Sequence, residues 1–128
     1  MKDKNILKQD ITSILERESS IRFAYIYGSF AECTSFNDID IGIYINEDKV
    51  SNFFDYEFEL EEKLSKIFPK TDVRIINNAP LGFKYNVIRG EIIIDYDPLF
   101  RCNFVERVVE EYLDLLPFRE EMLRYAAK

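Results

Sequence analysis

Two aspartates, Asp38 and Asp40, stand in the stretch Asn37-Asp38-Ile39-Asp40-Ile41-Gly42-Ile43-Tyr44-Ile45. Strand side chains alternate between faces. Ile39, Ile41, Ile43 and Ile45 therefore share one face, and Asp38, Asp40, Gly42 and Tyr44 the other. Two carboxylates so placed lie roughly 6–7 Å apart, a spacing suited to joint coordination of a hard cation such as magnesium through oxygen. Asn37 and Asp38 are equally good turn residues ahead of a strand. Asp40 fits that alternative less well, because aspartate is depleted in strands and this one lies between two isoleucines. A third aspartate, Asp72, opens the run Thr71-Asp72-Val73-Arg74-Ile75-Ile76 and shares a face with Arg74, so an exposed ion pair stands beside a site role for it. Upstream lie Gly28 and Ser29. The glycine permits close backbone approach, and the serine offers a hydroxyl and an N–H to phosphate oxygens; the pair alone equally marks a plain turn.

The elements that would position these groups follow from periodicity. Residues 4–18 carry Ile6, Leu7, Ile11, Ile14 and Leu15 at helical spacing, with Asp3 or Asn5 as cap. Residues 21–27 are almost continuously apolar and aromatic, the pattern of a central strand covered on both faces. Only eight residues separate Ser29 from Asp38. That suits an antiparallel return or one helical turn, and is too short for a parallel crossover. Residues 48–67 read as a helix capped by Asp48 or Ser51 and stopped by Pro69, with Glu57, Glu59, Glu61 and Glu62 as its solvated face. Strands follow at 71–76 and 91–96, with a turn at Asn77-Asn78-Ala79-Pro80 and a short helix at 81–89 that Gly90 caps. Residues 98–126 are helical, broken or kinked at Pro117, and leave Phe118, Met122, Leu123 and Tyr125 as either core or partner surface.

Composition bounds the function. A chain of 128 residues, 47% hydrophobic and 15% aromatic, is expected to form one domain over residues 1–128 with one modest core. No apolar run is long enough to span a bilayer and Met1–Asn5 lacks a signal-peptide core, so the expected setting is cytoplasmic, away from membranes. There is no histidine, which removes Ser-His-Asp and Cys-His catalysis and histidine zinc sites. The two cysteines fit no disulfide or zinc spacing; Cys33 is expected to be exposed and Cys102 packed. A net charge of −7 disfavours direct nucleic-acid binding.

Taken together, Tyr27-Gly28-Ser29-Phe30-Ala31, Asn37-Asp38-Ile39-Asp40-Ile41, Thr71-Asp72-Val73 and the Asn77-Asn78-Ala79-Pro80 turn resemble the minimal nucleotidyltransferases of the polymerase-beta superfamily. The resemblance runs through Leu81–Arg89 and the Ile92-Ile93-Ile94 strand and implies an α/β (α+β) fold, a small mixed sheet of about four strands flanked by helices. It also implies that Asp38, Asp40 and Asp72 hold two magnesium ions, that Asp72 helps to deprotonate the acceptor, and that Gly28 and Ser29 grip a nucleoside triphosphate. Small members of this kind are similar to the antitoxins of HEPN–MNT pairs, which transfer AMP from ATP to a tyrosine of a helical HEPN toxin. The function so implied is a magnesium-dependent adenylyltransferase and antitoxin, with homo- or hetero-oligomer contacts through the C-terminal helix. The spacer after Gly28-Ser29 is shorter than is usual in the family and carries Glu32-Cys33 where a basic residue and a glycine are common. Lys66, Lys70 and Arg74 are the alternative cations. The departure supports a second reading, a binding module with a decayed site that neutralises a partner. Transfer to a small molecule is a third, for which a chain this short lacks a separate substrate domain.

Overall fold

The computed structural model describes residues 3–126. In chain order it contains α1 (Lys4–Leu15), β1 (Ile21–Tyr27), α2 (Ser29–Glu32), β2 (Ile39–Ile45), a 3-10 turn at Glu47–Lys49, α3 (Phe53–Ser65), β3 (Thr71–Ile75), α4 (Leu81–Ile88), β4 (Glu91–Asp95) and α5 (Pro98–Ala126). The strands form one mixed sheet in the order β3-β2-β1-β4. β1 is antiparallel to both β2 and β4, and β2 is parallel to β3. The expected fold class therefore holds, with element ends shifted by a few residues.

The isoleucine alternation of β2 divides the core. Ile39, Ile41, Ile43 and Ile45 pack with Leu7, Ile11 and Leu15 of α1 and Leu60 and Leu64 of α3. The opposite face holds Phe23, Tyr25, Tyr27, Ile76 and Val87, with Tyr44, Phe83, Phe100 and Phe104 against them. Each fully buried side chain of this kind contributes roughly 1.5–3 kcal/mol. β1 lies between β2 and β4 and is buried on both faces, as its apolar run requires. Asp3 caps α1 by accepting from the N–H of Asn5. Asn52, rather than Asp48 or Ser51, caps α3 by accepting from Asp55 N–H at 3.0 Å; Asp48 is already part of the separate 3-10 turn, which Asn46 caps.

Three expectations change. The acidic face of α3 is only partly solvated. Glu57 Oε2 accepts from the N–H of Ile75 at 2.8 Å, and Glu61 Oε1 from that of Val73 at 3.1 Å, so α3 satisfies the outward donors of edge strand β3. Hydrogen bonds to charged groups contribute about 1.5–3 kcal/mol each. Glu57→Ala with Glu61→Ala is therefore expected to lower urea-unfolding stability by about 3 kcal/mol or more; an unchanged midpoint would show that water replaces the carboxylates. Pro117 does not end α5, which runs from Pro98 to Ala126. The helix around it is exposed, as are Leu113, Leu115, Phe118, Met122, Leu123 and Tyr125, so the carbonyl that loses its donor is open to water. Cys102 is exposed, not packed, and Cys33 is exposed as expected.

Asn77 lies in the expected turn and is also buried, where its side chain extends the ladder. Its Oδ1 accepts from Ile45 N–H at 3.0 Å and its Nδ2 donates to Ile45 O at 2.8 Å. The side chain thus supplies Ile45 with the donor and acceptor of a neighbouring strand where β3 has stopped.

Candidate active site

The predicted site residues meet at one end of the sheet. Asp40 is the register partner of Tyr27 across the antiparallel pair and of Asp72 across the parallel one. Adjacent strands lie about 4.8 Å apart, which sets Asp40 and Asp72 side by side on one face. Asp38 precedes β2 and is exposed. The two strand starts are tied by a hydrogen bond from Ile39 N–H to Lys70 O at 2.9 Å, and Thr71 Oγ1 donates to Phe68 O at 2.7 Å. Asp38, Asp40, Lys70, Thr71, Asp72 and Arg74 line an open cleft of about 370 Å³, within the range of small-ligand sites.

The Gly28-Ser29 turn adjoins Asp40. Gly28 has φ 77°, and a Cβ there would lie 2.8 Å from Asp40 Oδ2. Both the left-handed backbone and the approach of the carboxylate require glycine. Ser29 is exposed and starts α2, a single turn closed by Cys33 N–H on Ser29 O at 2.8 Å. The short connection is thus antiparallel and also contains one helical turn. Phe36 fixes it by packing on Phe30 and Phe68, with ring centroids 4.6 and 5.6 Å away. Lys4 donates to Cys33 O and lies over the Phe30 ring at 5.0 Å.

Burial raises the Asp40 carboxyl above the ordinary carboxylate range, and the negative charges of Asp72 and Asp38 raise it further; Arg74 opposes them. Burial followed by the charges of Asp40 and Asp72 raises Tyr27, so its phenol stays protonated at neutral pH. Sequence reasoning passed over Tyr27; its place immediately before Gly28 was the available signal. Arg74 Nε donates to Asp72 Oδ2 at 3.2 Å, and the Asp72 charge holds the guanidinium above its usual value. Of the alternative cations, Lys70 and Arg74 line the cleft, whereas Lys66 lines a groove with Ile14, Arg17, Glu18 and Lys63. Glu32 is exposed and does not line the cleft.

Among the described residues no three acidic or thiol side chains converge closely enough to hold an ion as they stand. The donor chemistry nevertheless fits magnesium. Three oxygen-bearing carboxylates share one cleft, and burial together with the neighbouring charges of Asp72 and Asp38, which raise Asp40, is the load a hard cation would relieve.

A Gly-Ser turn beside a pair of aspartates, on a mixed sheet with helices on both faces, is the arrangement that the family resemblance implies. The chain belongs to the polymerase beta nucleotidyltransferase family, whose model matches residues 9–99. Three solved structures illustrate the likeness. A chain of the Shewanella oneidensis complex of tri-AMPylated HEPN toxin with MNT antitoxin is 16% identical, with a TM-score of 0.75, over 98% of this chain and 100% of that one. A toxin–antitoxin structure with AMP-PNP gives 17% identity and a TM-score of 0.76 over 94% of this chain and 98% of that one. The MntA–HepT toxin–antitoxin structure gives 15% and 0.73 over 97% and 99%. No curated protein sequence matches significantly.

Proposed function

We propose that this protein transfers AMP from ATP to a tyrosine hydroxyl of a HEPN-type partner and acts as the antitoxin of that pair. The observation that carries this reading is the meeting of Asp38, Asp40 and Asp72 in one cleft beside the Gly28-Ser29 turn. In the reaction the acceptor oxygen forms a bond to the α-phosphorus, the bond to the bridging oxygen breaks, and pyrophosphate leaves. Gly28 and Ser29 hold the triphosphate with backbone and hydroxyl groups. Asp72 takes the acceptor's proton. Tyr27, kept protonated, offers a hydroxyl donor at the same end of β1. Asp38, Asp40 and Asp72 would hold two magnesium ions, which when bound neutralise phosphate charge and align the displacement. The structures of a tri-AMPylated HEPN toxin with its antitoxin and of a toxin–antitoxin with AMP-PNP support the acceptor and the nucleotide.

The exposed apolar residues of α5, among them Phe118, Met122 and Leu123, support a protein-facing surface on that helix. Among the described residues no helix is long and apolar enough to cross a membrane.

Calorimetric titration of AMP-PNP with and without magnesium tests the reading. Magnesium-dependent binding that disappears in Asp38→Asn/Asp40→Asn is the expected result. Absence of binding, with partner capture intact, would instead establish the decayed-site binding module, for which the short spacer after Gly28-Ser29 with its acidic Glu32 is the supporting observation.

A further inference from the structure

The cleft has an unusual charge inventory. Three carboxylates, Asp38, Asp40 and Asp72, face two cations, Lys70 and Arg74. Both cations belong to the β3 side, Lys70 just before the strand and Arg74 within it. The loop after Ser29 carries no cation, and its one charged residue, Glu32, does not line the cleft. Arg74 therefore stands two residues beyond Asp72 on the same strand face, with its guanidinium on the carboxylate expected to receive a metal. Its positive charge is felt beyond that contact, because it opposes the rise at both Asp40 and Tyr27. Glu57 and Glu61 act on Arg74 from α3, but both are held by backbone N–H groups of β3.

We propose that Arg74 is the built-in counter-ion of the carboxylate cleft. It neutralises Asp72 while no divalent cation is present, gives up that carboxylate when one binds, and turns its freed guanidinium to the phosphates of the nucleotide. The inference rests on the nucleotidyltransferase reading and deepens it by assigning the phosphate-facing cation that the loop after Ser29 lacks. The pair is suited to exchange. It is a single Nε contact with side chains 52% and 41% exposed, and such pairs are worth little in water. Among the described residues the two terminal nitrogens of Arg74 make no hydrogen bond, so the planar fork that suits phosphate oxygens is free. A divalent cation offers Asp72 twice the charge and also satisfies Asp40, which Arg74 relieves only in part.

Two titrations of the full chain decide it. One follows free Mn²⁺ by electron paramagnetic resonance without nucleotide; the other follows AMP-PNP by calorimetry with magnesium. Arg74→Gln is expected to bind Mn²⁺ about threefold to fivefold more tightly, because a competing cation is gone, and AMP-PNP several-fold more weakly. Arg74→Lys, which keeps the charge, is expected to restore wild-type Mn²⁺ affinity. Circular dichroism checks that each variant is folded. Mn²⁺ affinity unchanged or weakened in Arg74→Gln overturns the proposal, as does unchanged nucleotide affinity. If the wild type binds both ligands and the variant matches it, this inference alone falls. If the wild type binds neither, the nucleotidyltransferase reading falls with it.

Discussion

Asp40→Asn is expected to reduce AMP transfer by about a thousandfold or more, roughly 4 kcal/mol of transition-state stabilisation, and at the same time to stabilise the metal-free fold at neutral pH. Both effects have one origin. Asp40 is pushed above the ordinary carboxylate range by burial and by the charges of Asp72 and Asp38. The ionised form is thus disfavoured in the folded chain relative to the unfolded one. Between the unfolded and the raised folded value the folded state binds more protons, so stability falls as pH rises through that window and stays lower above it. Asparagine keeps the shape and removes the charge. In the absence of divalent ions, melting temperature recorded from about pH 4 upward should decline in the wild type and decline less in the variant. Magnesium should restore the wild type and leave the variant unmoved. Parallel curves would mean that Asp40 is not under electrostatic load. Transfer to the partner at the wild-type rate would remove it from the metal site.

Gly90→Ala is expected to be the most damaging small substitution for stability, costing about 3 kcal/mol or more. A Cβ at residue 90 would lie 2.2 Å from the Ile26 carbonyl oxygen and 2.8 and 2.9 Å from Tyr27 Cβ and Cα. These are atoms of the central strand in the last two residues before Gly28, and no rotamer change moves backbone aside. The sequence reading made Gly90 a helix cap, and its N–H does bond to Val87 O at 2.9 Å. Gly28 is nonetheless the glycine with positive φ among the described residues, so residue 90 needs glycine for space, not for conformation. Because the displaced backbone carries Tyr27 into the Gly28-Ser29 turn, activity should fall in molecules that remain folded. Gly82→Ala is the control. It lies in α4 with nothing within 4 Å of the added carbon, and alanine there should be neutral or stabilising by up to about 1 kcal/mol. Urea midpoints of the two variants that coincide would overturn the steric argument.

The parts of the fold that were legible in the sequence are those written as a period. The isoleucine alternation gave β2 its two faces, the apolar run gave β1 its central place, and Leu7, Ile11 and Leu15 gave α1 its buried side. Asp38, Asp40 and Asp72 were grouped by the family resemblance, and the strand register then sets Asp72 beside Asp40. What stayed hidden depends on tertiary reach. Glu57 and Glu61 look like any solvated acidic face until β3 is seen beside them. Asn77 sits in the turn that was expected, but nothing in the sequence says that its amide pairs with Ile45. Gly90 is silent about Ile26 because neither spacing nor propensity encodes a close approach of two backbones. The strand pattern already set Arg74 on the face of Asp72, whereas nothing in the sequence showed that Lys66 lies outside the cleft.

The carboxylates that α3 lays along β3 also limit what the sheet can join. An outer strand normally offers its unpaired backbone groups to a strand from another molecule. Here two of those groups, on Val73 and Ile75, are already taken by Glu61 and Glu57. Growth by strand addition is left with the β4 margin alone. Two units joined β4 to β4 would turn only their occupied β3 margins outward, so strand addition between copies closes into a pair and does not propagate.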